Sequence, residues 1–165
     1  MLKTPAPLAG LALLLLAACS TEGKMTSLTT GTTAPLPAAA TWGLAVEGCP
    51  ESGQCEELRA VLVSHLVGAG LATRIMAAGQ PADLVLDVHV TRIRTVSGAA
   101  RVFLGTIAGR NVVVSTDTLR DQNGAVLRSF EIEGDSAAHP LSGETSLNDA
   151  YREFATQTVT ALRQS

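Results

Sequence analysis

The sequence predicts an α+β domain: one mostly antiparallel five-stranded sheet with two helices packed on one face, in the order β-α-β-β-β-β-α. Three observations carry that prediction. Leu84, Leu86, Val88 and Val90 alternate with Asp87, His89 and Thr91, as a half-buried strand requires. Asn123-Gly124 stands between two strand-forming runs, the pattern of a tight hairpin turn. Residues 54–67 and 146–164 instead place their apolar side chains at three- and four-residue steps, the spacing of one helix face.

Each element follows in order. Residues 41–47 (TWGLAVE) are the first strand candidate, stopped by Gly48-Cys49-Pro50. The first helix, residues 54–67, aligns Cys55, Leu58, Val61, Leu62 and Leu66. Glu56 and Glu57 lie near its positive N-terminal dipole, and Gly68 and Gly70 end it. Residues 71–76 form a short strand before the Gly79-Gln80-Pro81 turn, and residues 83–96 form the longest one. Beyond Val90 simple alternation puts Arg92 and Arg94 on the apolar face, so that end of the strand is expected to emerge from the core. Residues 97–109 are rich in glycine and alanine and read as a loop. Residues 111–119 and 125–133 are the two arms of the hairpin. Ser146 and Asp149 form a capping box, with Asp in place of the usual Glu, at the head of the last helix. Leu147, Ala150, Tyr151, Phe154, Thr158 and Leu162 form that helix's apolar stripe. The folded domain therefore spans residues 41–165.

The N-terminal segment has a different character. Residues 8–18 (LAGLALLLLAA) are apolar and follow a positively charged start. Eleven residues are too few to cross a bilayer, which needs about 20, but they suit the core of a signal peptide. The run closes in Leu16-Ala17-Ala18-Cys19, which resembles the lipobox of bacterial lipoproteins. The resemblance implies removal of residues 1–18 and a diacylglycerol thioether on Cys19. One acyl chain anchors weakly and two or three anchor durably, so the membrane is an expected partner through the N-terminal lipid. Ser20 follows Cys19 where, in the sorting rule of enteric bacteria, an aspartate would retain the protein at the inner membrane. The expected location is the periplasmic side of the outer membrane, with the inner membrane as the alternative. Residues 19–40 are rich in Thr, Ala, Pro and Ser and read as a disordered tether.

Composition narrows the role. The chain has 165 residues, 46% hydrophobic, 16% charged and 3% aromatic, with formal charge −3. An acidic, aromatic-poor chain lacks both the field and the stacking platforms of a nucleic-acid binder. With Cys19 acylated, Cys49 and Cys55 remain as a pair in an oxidising compartment, where a disulfide is expected. The alternatives are a metal site or a redox dithiol, but those pairs are usually spaced more closely than five intervening residues.

No nucleophile, cofactor site or metal cluster can be nominated. Asp87 and His89 share a strand face, yet no G-x-S-x-G accompanies them. Asp121 and Asn123 lack the remaining ligands of a calcium loop, since Leu119 and Phe130 stand where acids are needed. Charge segregation is the one feature with functional promise. Arg92, Arg94, Arg101, Arg110, Arg120 and Arg128 share a segment of net charge +4 with only Asp117 and Asp121. Either Glu131, Glu133 and Asp135 neutralise it, or Arg92, Arg94, Arg101 and Arg110 form a patch for an anionic partner, a lipid or an acidic protein surface.

Ala82-Asp83-Leu84, Gly105 and Gly109, the valine strand after them, and Asp121 with Gly124-Ala125-Val126-Leu127 occur in that order. Together they resemble the bacterial envelope lipoproteins carrying domain of unknown function 4410, over roughly residues 42–162. The resemblance brings no catalytic residue with it. The expected role is a non-catalytic binding or accessory module of an envelope complex, and the alternative is a small periplasmic hydrolase.

Overall fold

The computed structural model describes residues 24–27, 36, 40–77, 79–97, 100, 109–136 and 146–164. In chain order they form β1 (Lys24–Ser27), β2 (Thr41–Glu47), α1 (Gln54–Gly68), β3 (Arg74–Met76), β4 (Leu84–Arg94), β5 (Val112–Asp121), β6 (Val126–Asp135) and α2 (Leu147–Arg163). The strands make one sheet in the order β1-β6-β5-β4-β2-β3.

Two features differ from the sequence reading. Residues 24–27, inside the segment read as a tether, form an edge strand antiparallel to β6, with Lys24 opposite Glu133 and Ser27 opposite Phe130. Local composition cannot reveal this strand, because its hydrogen-bond partners lie about a hundred residues away. The sheet is also mixed. β2 runs parallel to both β3 and β4, while the remaining pairings are antiparallel. The cause is α1: a helix that returns along the sheet face lets the next strand start in the same direction. With only three residues in β3, a short link then brings the chain back to the start of β4. Asp83 closes that corner. Its carboxylate accepts the Thr41 amide at 2.7 Å and the Thr41 hydroxyl at 2.6 Å, tying β4 to the start of β2. These bonds hold the exposed Asp83 carboxyl below its ordinary range.

One face of the sheet is the core. Trp42 pairs with Leu84 and Leu44 with Leu86 across β2 and β4, then Leu86 with Leu119 across β4 and β5. All five are buried, as are Val88, Val90, Phe130 and Ile132. Both helices cover this face. α1 contributes Leu58, Leu62 and Leu66, four residues apart, and α2 contributes Ala150, Tyr151, Phe154, Ala155 and Leu162 to the same cluster. α2 begins with the expected capping box: the Ser146 hydroxyl accepts the Asp149 amide at 3.3 Å, and the Asp149 carboxylate accepts the Ser146 amide at 3.1 Å.

Cys49 and Cys55 are joined by a disulfide with Cα atoms 5.6 Å apart. The bridge ties the end of β2 to the first turn of α1. Replacing both cysteines with serine is expected to lower the unfolding free energy by about 2 kcal/mol, because so short a loop restricts the unfolded chain only modestly. Urea titration of the oxidised protein and the double variant checks the value. Two reactive thiols in the freshly isolated protein would reject the bridge.

Candidate functional site

The face turned away from the helices is built by the same alternation that makes the core. Asp87 and His89 of β4, Thr116, Thr118 and Arg120 of β5, and Glu131 and Glu133 of β6 all point there, because their paired neighbours do. Between Val90 and Arg92 the register slips, leaving Thr91 as an extra residue. This bulge overturns the placement expected from simple alternation. Arg92 pairs with Val114 and Arg94 with Val112, so both arginines join the face of His89 rather than that of Val90. The Thr91 hydroxyl donates to the Val114 carbonyl at 3.2 Å beside the slip.

The resulting surface is a lattice of ion pairs. Arg120 Nε lies 3.1 Å from Asp87 Oδ2 and Arg92 Nη2 3.8 Å from Glu133 Oε2; His89 Nδ1 lies 3.4 Å from Glu47 Oε1, an ion pair only when the imidazole is protonated. Beside them Arg110 Nη1 donates to Asp135 Oδ2 at 2.7 Å. Asp87 and His89 therefore engage different partners and do not form a carboxylate–imidazole pair with each other. The Arg120–Asp87 and Arg92–Glu133 pairs are exposed and contribute little to stability, so their arginines can exchange an internal carboxylate for an external anion at small cost, whereas Asp135 is buried and stays with Arg110.

The four arginines proposed as an anionic-partner patch separate as follows. Arg92 and Arg110 each face a carboxylate. Arg94 is exposed and has no ion pair among the described residues; its guanidinium lies so near Gly109 that a Cβ there would meet Nη2 at 2.9 Å. Arg101 lies outside the described residues, as does Gly105. Arg128, counted in the same basic segment, leaves the surface altogether. It is buried on the core face and donates to the Leu162 carbonyl at 2.6 Å, satisfying the C-terminal end of α2. Among the described residues no group of three or more His, Cys, Asp or Glu is placed to hold a metal ion. None of their helices is long and apolar enough to cross a membrane.

Asp117 is the residue that sequence reading passed over. It lies on the core face of β5 between Val88 and Phe130, fully buried. One carboxylate oxygen accepts the Ser115 hydroxyl, and among the described residues the other has no hydrogen-bond partner. Burial pushes its pKa up to about 7, against the opposing effect of the Ser115 hydrogen bond and of the nearby Thr158 hydroxyl, which itself donates to the Phe154 carbonyl at 3.0 Å. The signal was present: alternation back from Leu119 places Asp117 and Ser115 inward. Tyr151, buried on α2, is likewise pushed up to about 12, by burial first and then by Glu57 and Glu51.

The fold and this face define a small α+β domain with a helix-covered core and an open, ion-paired sheet surface. The chain belongs to the family described as Domain of unknown function (DUF4410), which matches residues 51–140. Two residues within the matched segment have structural roles: Asp83 clamps β2, and the Asp121 carboxylate accepts the Asn123 and Ala125 amides of the β5–β6 turn at 2.9 Å each. Comparison with curated proteins finds no significant match. Among solved structures, the PelC dodecamer from Paraburkholderia phytofirmans is similar with a TM-score of 0.62 and 18% identity, covering 87% of this chain and 99% of that one. A second structure, a point variant of that dodecamer, gives a TM-score of 0.60 and 20% identity over 86% of this chain and 98% of the other. These likenesses establish a shared fold.

Proposed function

We propose that this protein is a lipid-anchored lipoprotein of the bacterial envelope, held by acylated Cys19 on the periplasmic side of the outer membrane. There it acts as a non-catalytic, self-associating module of an envelope complex. The observation that carries this reading is the fold shared with PelC over nearly that protein's whole length, since PelC was solved as a dodecamer. The lipobox-like Leu16-Ala17-Ala18-Cys19 supports the anchor. A sheet face of exchangeable ion pairs suits docking better than hydrolysis, because Asp87 and His89 face Arg120 and Glu47 and do not pair with each other.

One experiment reads both parts. Cells fed a radioactive fatty acid are crosslinked, and proteins and lipids bound to the chain are identified by mass spectrometry. The expected result is label on the wild-type chain and none on Cys19→Ser, with crosslinks joining copies of the chain to each other and to a reproducible envelope partner. Label persisting in Cys19→Ser removes the anchor. An uncrosslinked monomer whose hydrolytic turnover disappears in His89→Ala overturns the module in favour of a small periplasmic hydrolase.

A further inference from the structure

We propose that the end of the sheet carrying Lys24, Arg92 and Arg94 docks on anionic phospholipid headgroups, so that the domain lies against the membrane instead of standing off on a long tether. The proposal rests on the acylated-Cys19 reading above and adds an orientation and a ligand to it.

The geometry comes from strand register. β1 runs antiparallel to β6 with Lys24 opposite Glu133, and the chain leading back toward Cys19 leaves from the Lys24 end. The same row continues across the sheet through Val114 to Arg92, and the next row outward joins Asp135, Val112 and Arg94. At a strand spacing of about 4.8 Å, Lys24 and Arg92 are roughly 14 Å apart on one rim. Only residues 20–23 separate Cys19 from Lys24. Fully extended, that connection reaches about 17 Å, where residues 19–40 as a free tether would reach about 70 Å. Because β1 is paired into the sheet, the acyl chains must enter the bilayer close to this rim.

Charge matches position. Lys24, Arg92 and Arg94 are exposed. Asp135 is held by Arg110 at 2.7 Å, so among the described residues Glu133 is the one carboxylate in these two rows left to oppose three cations, with Glu131 one pair further in and Glu22 in the connection to Cys19. The Arg92–Glu133 pair is long, at 3.8 Å, and the Arg92 side chain is 61% exposed. Lipid phosphates can therefore take Arg92 without leaving a buried charge behind. The three cations lie along the rim through which the lipid anchor leaves, and a connection of at most about 17 Å lets that rim come within one Debye length, about 8 Å, of the surface. Each basic residue near an anionic leaflet strengthens association about five-fold, and three together on the order of a hundred-fold.

The test uses the acylated full chain in vesicles of phosphatidylcholine alone or of equal parts phosphatidylcholine and phosphatidylglycerol. Thr95, exposed and next to Arg94, is changed to cysteine and given a fluorophore, and a nitroxide-headgroup lipid serves as quencher. Several-fold stronger quenching is expected on the phosphatidylglycerol vesicles, reversed by high salt. It should be lost in Arg92→Glu plus Arg94→Glu and reduced in Lys24→Glu, with each variant first shown to keep the wild-type unfolding midpoint. Equal quenching on both vesicles, or quenching indifferent to charge reversal, overturns the docking while leaving the anchor intact. A chain that sediments with neither vesicle overturns the anchor and the docking together.

Discussion

Asp117→Asn is expected to raise the unfolding free energy at about pH 8 by roughly 2–4 kcal/mol and to flatten the dependence of stability on pH between about 4 and 7. In the folded protein the Asp117 carboxyl is pushed from its ordinary 3.8 up to about 7 by burial. The folded state then binds this proton more tightly than the unfolded chain does. Its contribution is fully present below about pH 4, is lost as pH rises, and is gone above about pH 7. Each pKa unit corresponds to about 1.4 kcal/mol, which puts the whole window at about 4 kcal/mol. Asparagine keeps the shape and the acceptor for Ser115 but has no charge to bury. Asp83 and Asp121, held low by their hydrogen bonds, act in the opposite direction and at lower pH, where stability falls as pH falls through their folded values. Urea titrations at about pH 5 and about pH 8 separate the two effects. Equal slopes in wild type and variant would show that Asp117 carries no such cost.

Gly134→Ala is expected to destabilise the domain by about 3 kcal/mol, at the high end for overpacking. Gly134 lies on β6 where α2 crosses it, and a Cβ there would collide with the amide nitrogen and Cα of Phe154. Those are backbone atoms of a helix whose Phe154 side chain is fully buried. No rotamer change relieves the clash, and α2 must lift away from the sheet. The control is Gly68→Ala at the last residue of α1, where a Cβ meets nothing within 4 Å. There alanine's better helix propensity should leave stability unchanged or raise it by up to about 1 kcal/mol. Comparable losses at the two positions would mean that close approach of α2 to β6 is not what Gly134 provides.

Much of the fold could be read from local pattern. Leu58, Leu62 and Leu66 announced α1, Leu84 to Val90 announced β4, Asn123-Gly124 announced the β5–β6 turn, and Ser146 with Asp149 announced the head of α2. Each signal lies within one element or one turn, where side-chain periodicity and capping chemistry are set by neighbours a few residues apart. The site was less legible. A run of six arginines looked like one basic surface, yet Arg128 points into the core to cap α2, Arg92 and Arg110 find carboxylates on β6, and Arg120 finds one on β4. The Thr91 bulge shifted Arg92 and Arg94 to the opposite face, which counting by twos from Leu84 could not anticipate.

By itself, then, the sequence determined the elements other than β1, the cysteine pair and the lipobox-like start, all of which depend on short-range spacing. Tertiary structure decided which strand adopts which neighbour. The parallel pairing of β2 with β3 and β4, the docking of Lys24–Ser27 on β6, the burial of Asp117 under α2 and the closeness of Gly134 to Phe154 join residues far apart in the chain. Strand pairing uses backbone groups that every residue but proline carries in full. The choice among partners is made by packing the whole core at once, and no local stretch records it.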